Sequence, residues 1–176
     1  MRVAEAPDTI LVTRDRDLKG RERDPWIRRS LLALVALLPV LALFNVFGQR
    51  PTTSEASVPA ANMSIYAPTR VRGGLIWEAR VHITAHRELK NAILVLSTGW
   101  LEGMTLNTIE PSPVGEASEN GKLALTLGHI PQDESYILFM EFQVNPTNVG
   151  HRSQDVELTD GETHLLTIHR DVTIFP

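Results

Sequence analysis

The chain contains no cysteine. Disulfides, thiolate metal sites and cysteine nucleophiles are therefore excluded together. A domain of this length builds a sufficient core without cross-links. Lysine is scarce, three residues against fourteen arginines. There is no Gly-x-Ser-x-Gly elbow and no phosphate-cradling glycine loop, so neither acyl transfer by that route nor nucleotide binding by that loop is signalled. Beyond residue 61 no window of helical periodicity appears. Composition is otherwise that of a globular protein, 43% hydrophobic and 22% charged over 176 residues. That suits one domain with additions and excludes both a disordered chain and a multi-spanning membrane protein.

Charge is unevenly spread. Residues 1–29 hold eight Lys/Arg and six Asp/Glu, a net of +2, whereas residues 50–176 hold nine and fifteen, a net of −6. An acidic main domain repels phosphates, so no nucleic-acid partner is expected.

One long hydrophobic run is present. Residues 31–48 carry no charge and include seven Leu, three Val, three Ala and two Phe. As a helix the run spans roughly 27 Å, close to the hydrocarbon thickness of a bilayer. A core helix would have a polar face, and this run is apolar all round. Pro39 falls at its middle and Asn45 near its end. Arg28 and Arg29 precede the run with Trp26 at interface depth, and Arg50 is the one cation within twenty residues beyond it. This asymmetry predicts the N-terminus inside. The apolar stretch is longer than a signal-peptide core and follows 29 residues, so an uncleaved signal-anchor is expected, although Val58-Pro59-Ala60-Ala61 offers a loose cleavage-like site.

The expected organisation is a cytoplasmic tail over 1–29, a transmembrane helix over 30–48, a Pro/Ser/Thr/Ala linker over 49–61 and an extracytoplasmic domain over 62–176. As a coil the linker would hold the domain about 20 Å from the bilayer. In the tail, Asp15-Arg16-Asp17-Leu18-Lys19-Gly20 starts like a calcium loop but places Lys19 where an oxygen ligand is needed. The β-prone run Thr9-Ile10-Leu11-Val12-Thr13 is either a docking strand for a cytosolic partner or a chance apolar cluster in a disordered tail.

The remaining residues alternate. Leu75, Trp77, Ala79, Val81 and Ile83 interleave with Ile76, Glu78, Arg80, His82 and Thr84, the period of a half-buried strand. Residues 92–96 are continuously apolar, as in a central strand. Met104 and Leu106 open another strand. Asn120-Gly121 signals a hairpin turn, and Leu123, Leu125 and Leu127 follow it. Tyr136, Leu138, Met140, Phe142 and Val144 alternate again. Val156 and Leu158 precede Asp160-Gly161, and Leu166, Ile168, Val172 and Ile174 follow. Seven or eight strands with regular turns predict a mainly β fold, a single antiparallel immunoglobulin-like β-sandwich with Greek-key connections after one transmembrane helix. A small barrel is the alternative.

Several features resemble the bacterial immunoglobulin-like conserved-repeat, or CARDB-type, domains. They are Gly73-Gly74 opening the strand to Ile83, the apolar strand at 92–96 and the loop Thr98-Gly99-Trp100-Leu101-Glu102-Gly103. Asn120-Gly121-Lys122-Leu123 leading to Leu127-Gly128, and the strand at 136–144, complete the likeness, which covers about residues 62–176. The resemblance implies adhesion, spacing or assembly, and brings no catalytic residues to carry over.

Chemistry is sparsely signalled. His82 and His86 lie on one side of a strand but about 13 Å apart, too far to share a metal. His164 and His169 have opposite parity. No cofactor, metal or small-molecule substrate is expected. Trp100, Leu101 and Met104 are the candidate partner contacts: flanking glycines would let this loop project. In the other reading Trp100 folds back over the sandwich edge. Arg170 is in phase with inward-facing Leu166, Ile168, Val172 and Ile174, so either a bulge re-phases the strand or Arg170 is buried with a carboxylate partner. The expected function is a non-enzymatic, membrane-anchored interaction or scaffold module. Its expected partners are the bilayer and another membrane or envelope protein. The alternatives are a single-pass signalling protein acting through the tail, and a surface-loop enzyme.

Overall fold

The computed structural model describes residues 23–46 and 48–176, in two compact units, one up to Val46 and one from Phe47 to Pro176. The features expected at 9–13 and 15–20 lie outside the described residues.

The first unit contains helix α1, Asp24–Leu43. It is 20 residues long, about 30 Å, and is long and apolar enough to cross a membrane by length and composition. None of its residues is buried. The helix starts earlier than the apolar run because Asp24 and Pro25 suit a first turn. It stops earlier because Asn45 takes a left-handed conformation (φ 54°). There Asn45 N–H donates to the Ala42 carbonyl and Val46 N–H to that of Leu41, the paired bonds of a Schellman stop. Pro39 lies inside the helix and removes the bond to the Val35 carbonyl.

Among the described residues the second unit contains thirteen strands. They are β1 (Pro51–Ser57), β2 (Ala61–Pro68), β3 (Arg70–Arg72), β4 (Ile76–Ala85), β5 (Leu89–Leu96), β6 (Met104–Glu110) and β7 (Gly115–Glu119), followed by β8 (Lys122–Ile130), β9 (Ser135–Val144), β10 (Gly150–Ser153), β11 (Val156–Asp160), β12 (Thr163–Ile168) and β13 (Asp171–Phe175). One antiparallel sheet runs β1-β2-β4-β9-β6 and a second runs β12-β11-β5-β8-β7. Their inner faces share one hydrophobic core, so the unit is the expected mainly β, immunoglobulin-like sandwich. A small third ribbon, β10-β13-β3, includes one parallel pair, β13 with β3.

Period-2 patterning places the core. Trp77, Ala79, Val81, Ile83 and Ala85 of β4 are buried, and so are Leu138, Met140, Phe142 and Val144 of β9. β5 is the middle strand of its sheet, as its apolar run predicts. Asn120 and Gly121 both have positive φ (53° and 76°) between the paired Glu119 and Lys122, as a two-residue type I′ hairpin requires.

The structure departs from expectation at the start of the unit. Residues 49–61 are not a coil linker: 51–57 form β1, paired with β2 from Pro51–Pro68 to Ser57–Asn62. As an exposed edge strand of Thr, Ser and Glu, β1 has no apolar alternation to betray it. The sandwich thus begins before residue 62.

Candidate functional site

The expected contact loop turns inward. Residues 98–100 form one 3-10 turn, and Trp100 has no exposed area. Its ring lies 5.8 Å from Trp77 and 5.4 Å from Phe142, which themselves stack at 4.7 Å. Its indole N–H donates to the Asp155 carbonyl at 3.2 Å. Met104 is also buried, and Leu101 is half-buried against the core. Trp100 and Met104 are therefore core residues and have no surface to offer a partner. The loop is pinned because a Cβ at Gly99 would run into the Ser153 carbonyl oxygen, so glycine here permits close approach instead of projection.

Arg170 follows the same inward course. The chain leaves strand geometry at 169–170, yet the side chain stays buried. Its partners are not carboxylates. One Nη donates to the Ala67 and Pro68 carbonyls at 3.0 and 3.2 Å, and the guanidinium lies 5.5 Å over the Trp100 ring. Its Nε and other Nη meet no acceptor among the described residues. Burial lowers its pKa to about 10. Nearby, Gln154 is fully buried and donates to the Met104 sulfur at 3.9 Å.

The outward face of the first sheet carries exposed aromatic and aliphatic side chains. Register aligns Tyr66, Arg80 and Phe139 across β2, β4 and β9, with Thr53 and Glu110 at the ends of the row. The Arg80 guanidinium sits 4.8 Å from the Phe139 ring and 6.0 Å from Tyr66. Exposed cation–π contacts of this kind contribute about 0.5–1 kcal/mol. The next row is Glu55, Ser64, His82 and Ile137. Tyr66, Ile137 and Phe139 remain between 37% and 46% exposed. Carboxylates surround this centre: Glu55, Glu110, and Glu78 directly opposite Glu141. Like charges paired across strands are unfavourable. Glu78 is relieved by Arg80 at 3.4 Å, and Glu141 by the Asn107 amide at 3.4 Å.

Sequence reasoning missed this face, although β9 carried a signal. Ile137 and Phe139 are large apolar residues at positions that alternation assigns outward.

The histidines do not converge. His129 pairs with Glu88 (3.0 Å), His151 with Thr173 (3.0 Å), His164 with Thr167 (2.8 Å) and His169 with Asp155 (3.3 Å). Among the described residues no group of three or more His, Asp or Glu is arranged to hold a metal. At the start of α1, Trp26, Arg28 and Arg29 are exposed, with the Arg29 guanidinium 5.5 Å over the Trp26 ring.

No family model matches the chain, and no curated protein matches it. Solved structures do. The CARDB domain of a Pyrococcus furiosus protein, in complex with di-metal ions, is 14% identical, with 68% of this chain and 98% of that one covered and a TM-score of 0.39. A non-cellulosomal cohesin from Archaeoglobus fulgidus is 12% identical, with 71% and 92% covered and a TM-score of 0.40. AvmM, which catalyses macrocyclization in alchivemycin A biosynthesis, is 9% identical, with 73% and 90% covered and a TM-score of 0.45. The domain type that the sequence resembles is thus among the structures this chain is similar to. At such identities no function passes from these proteins to this one.

Proposed function

We propose that the chain is a membrane-anchored, extracytoplasmic interaction module, without catalytic activity, that binds another membrane or envelope protein through the outward face of β2, β4 and β9. The observation that carries this reading is the exposed row Tyr66–Arg80–Phe139 with Ile137 beside it. Tyr and Arg are enriched at binding hot spots, and an apolar centre inside a polar rim is the usual anatomy of an interface. The acidic rim selects a partner with basic residues around an apolar centre, because cations opposite Glu78 and Glu141 relieve their mutual repulsion. α1 supplies the anchor, and Arg28 and Arg29 before the apolar run favour an inside N-terminus in the cytoplasmic membrane. Two arginines oppose the helix dipole at this end, so a topological role accounts for them better than helix stability does.

The test uses the full chain in its native membrane. A photo-crosslinker at Ile137 should trap one partner, whereas one at Lys90, an exposed position on the opposite sheet, should not. Phe139→Thr with Tyr66→Thr, which leaves Arg80 on Glu78, should abolish the crosslink while the β circular-dichroism spectrum and a cooperative melting transition persist. An unchanged crosslink in that double variant rules out the face.

A further inference from the structure

The two lateral sides of the sandwich differ. On one, the edge strands β1 and β12 lie against each other and close the gap between the sheets. On the other, β6 and β7 are the edges, and a groove of about 360 Å³ runs beside them. Leu106, Asn107 and Ile109 of β6 line it, with Pro113 of the connection and Glu116 of β7. Leu106 and Ile109 pack on the core from the inward face of β6, yet both stay part-exposed at this opening.

The two edges at the opening are also unlike. β6 carries a bulge between Leu106 and Thr108, which leaves Asn107 out of the pairing with β9 and interrupts its outer hydrogen-bonding row. β7 is regular and pairs with β8 from Gly115–Thr126 to Glu119–Lys122. Glu119 and Lys122 close a two-residue hairpin, so they exchange hydrogen bonds. By alternation Ala117–Ala124 and Gly115–Thr126 do the same. The N–H and C=O groups of Glu116 and Ser118 therefore point away from β8, to the open side. Among the described residues no strand pairs with β7 there. The same register sets the side chains. Glu116 lies opposite the buried Leu125 and Ser118 opposite Leu123, so both project on the core side of β7, Glu116 into the groove. Glu116 has no ion-pair partner among the described residues.

We infer that β7 receives an extended segment of another protein, which adds to the second sheet as a sixth strand and sets a lysine or arginine against Glu116. Its alternate inward residues are apolar and cover Leu106 and Ile109. Unpaired main-chain groups on a regular edge specify a strand as the occupant. The inward carboxylate specifies which strand. An apolar or acidic segment would bury Glu116 unpaired, whereas one with a cation at that register neutralises it. The net charge of −6 over residues 50–176 draws a basic segment in. A second copy of the chain fits poorly, because joining through β7 would bring two Glu116 carboxylates into one groove. This edge is separate from the outward face of β2, β4 and β9, and the inference does not depend on that face.

Full-length protein in mild detergent would be titrated into fluorescein-labelled peptides Gly-Ser-Val-Thr-X-Thr-Val-Ser-Gly, with Lys, Arg, Thr or Glu at X, and binding followed by anisotropy. The Lys and Arg peptides should bind at least about tenfold more tightly than the Thr and Glu peptides. Glu116→Lys should reverse the order and favour the Glu peptide. Ser118→Pro removes an N–H that faces away from β8, so the β circular-dichroism spectrum should persist while every peptide loses binding. The charge reversal decides the matter if the proline variant does not fold. Binding that ignores X, or that survives Ser118→Pro in a folded variant, overturns the inference. So does the absence of binding by any peptide at about 1 mM. Self-association of the full chain that Glu116→Lys strengthens and Ser118→Pro abolishes would give the edge to a second copy and overturn it as well.

Discussion

At Trp100 an indole with no exposed area meets Trp77, Phe142 and the Arg170 guanidinium. Trp100→Ala removes the largest buried side chain of the unit and should cost about 3–5 kcal/mol. Chemical denaturation of the variant measures it, and a loss under about 1 kcal/mol contradicts the packing described. Arg170 makes a different prediction. Its folded pKa of about 10 lies below the ordinary arginine range, so above about pH 10 the unfolded chain binds more protons than the folded one. Below about pH 10 both states are charged and burial costs about 3 kcal/mol before its hydrogen bonds offset it. As pH rises above about 10 the penalty fades, so this group's contribution improves with pH. Lys122, raised by its bond to Glu157, and Tyr136, raised by burial, contribute in the opposite sense. The difference between the wild type and Arg170→Met cancels both. It should be flat from about pH 7 to 9 and move in the wild type's favour above about 10. A difference constant to pH 12 would mean that the charge is compensated in the fold.

Among the elements, β1 changes where the domain begins. Removing it would turn β2, whose Met63, Ile65 and Ala67 are buried, into an open edge. Exposed edges recruit other strands. Residues 48–176 should therefore be a soluble, monomeric β protein by light scattering and circular dichroism, whereas 62–176 should associate. Equal solubility of the two would show that β1 is dispensable. β4 and β9 were legible in the sequence because a strand between water and a core has to alternate. β1 was not, because an edge strand with little to bury leaves no apolar period. The side on which Trp100 lies was not legible either. A glycine-flanked loop reads alike whether it projects or folds inward, and the decision rests with Ser153 and Asp155, more than fifty residues away in the chain. The Arg170 phase was readable, but its partners are carbonyls of the β2 end, which no pairing rule for side chains anticipates.

For the whole molecule the expected arrangement is a cytoplasmic N-terminus, one span and an outer sandwich. Protease added to spheroplasts should remove a tag at Pro176 and spare a tag at Met1. Protection of the Pro176 tag would reverse the topology. The fold also bears on the order in which it closes. β13 pairs in parallel with β3, joining Thr173 to Arg70 and Phe175 to Arg72, and it brings the buried Val172 and Ile174. That closure joins residues about a hundred apart, the kind of non-local contact that forms late and slowly. While a ribosome is still making residues 171–175, the core lacks two of its side chains and the small ribbon has no central strand. The domain therefore stays loose until β13 has paired, and closes when that strand is in place.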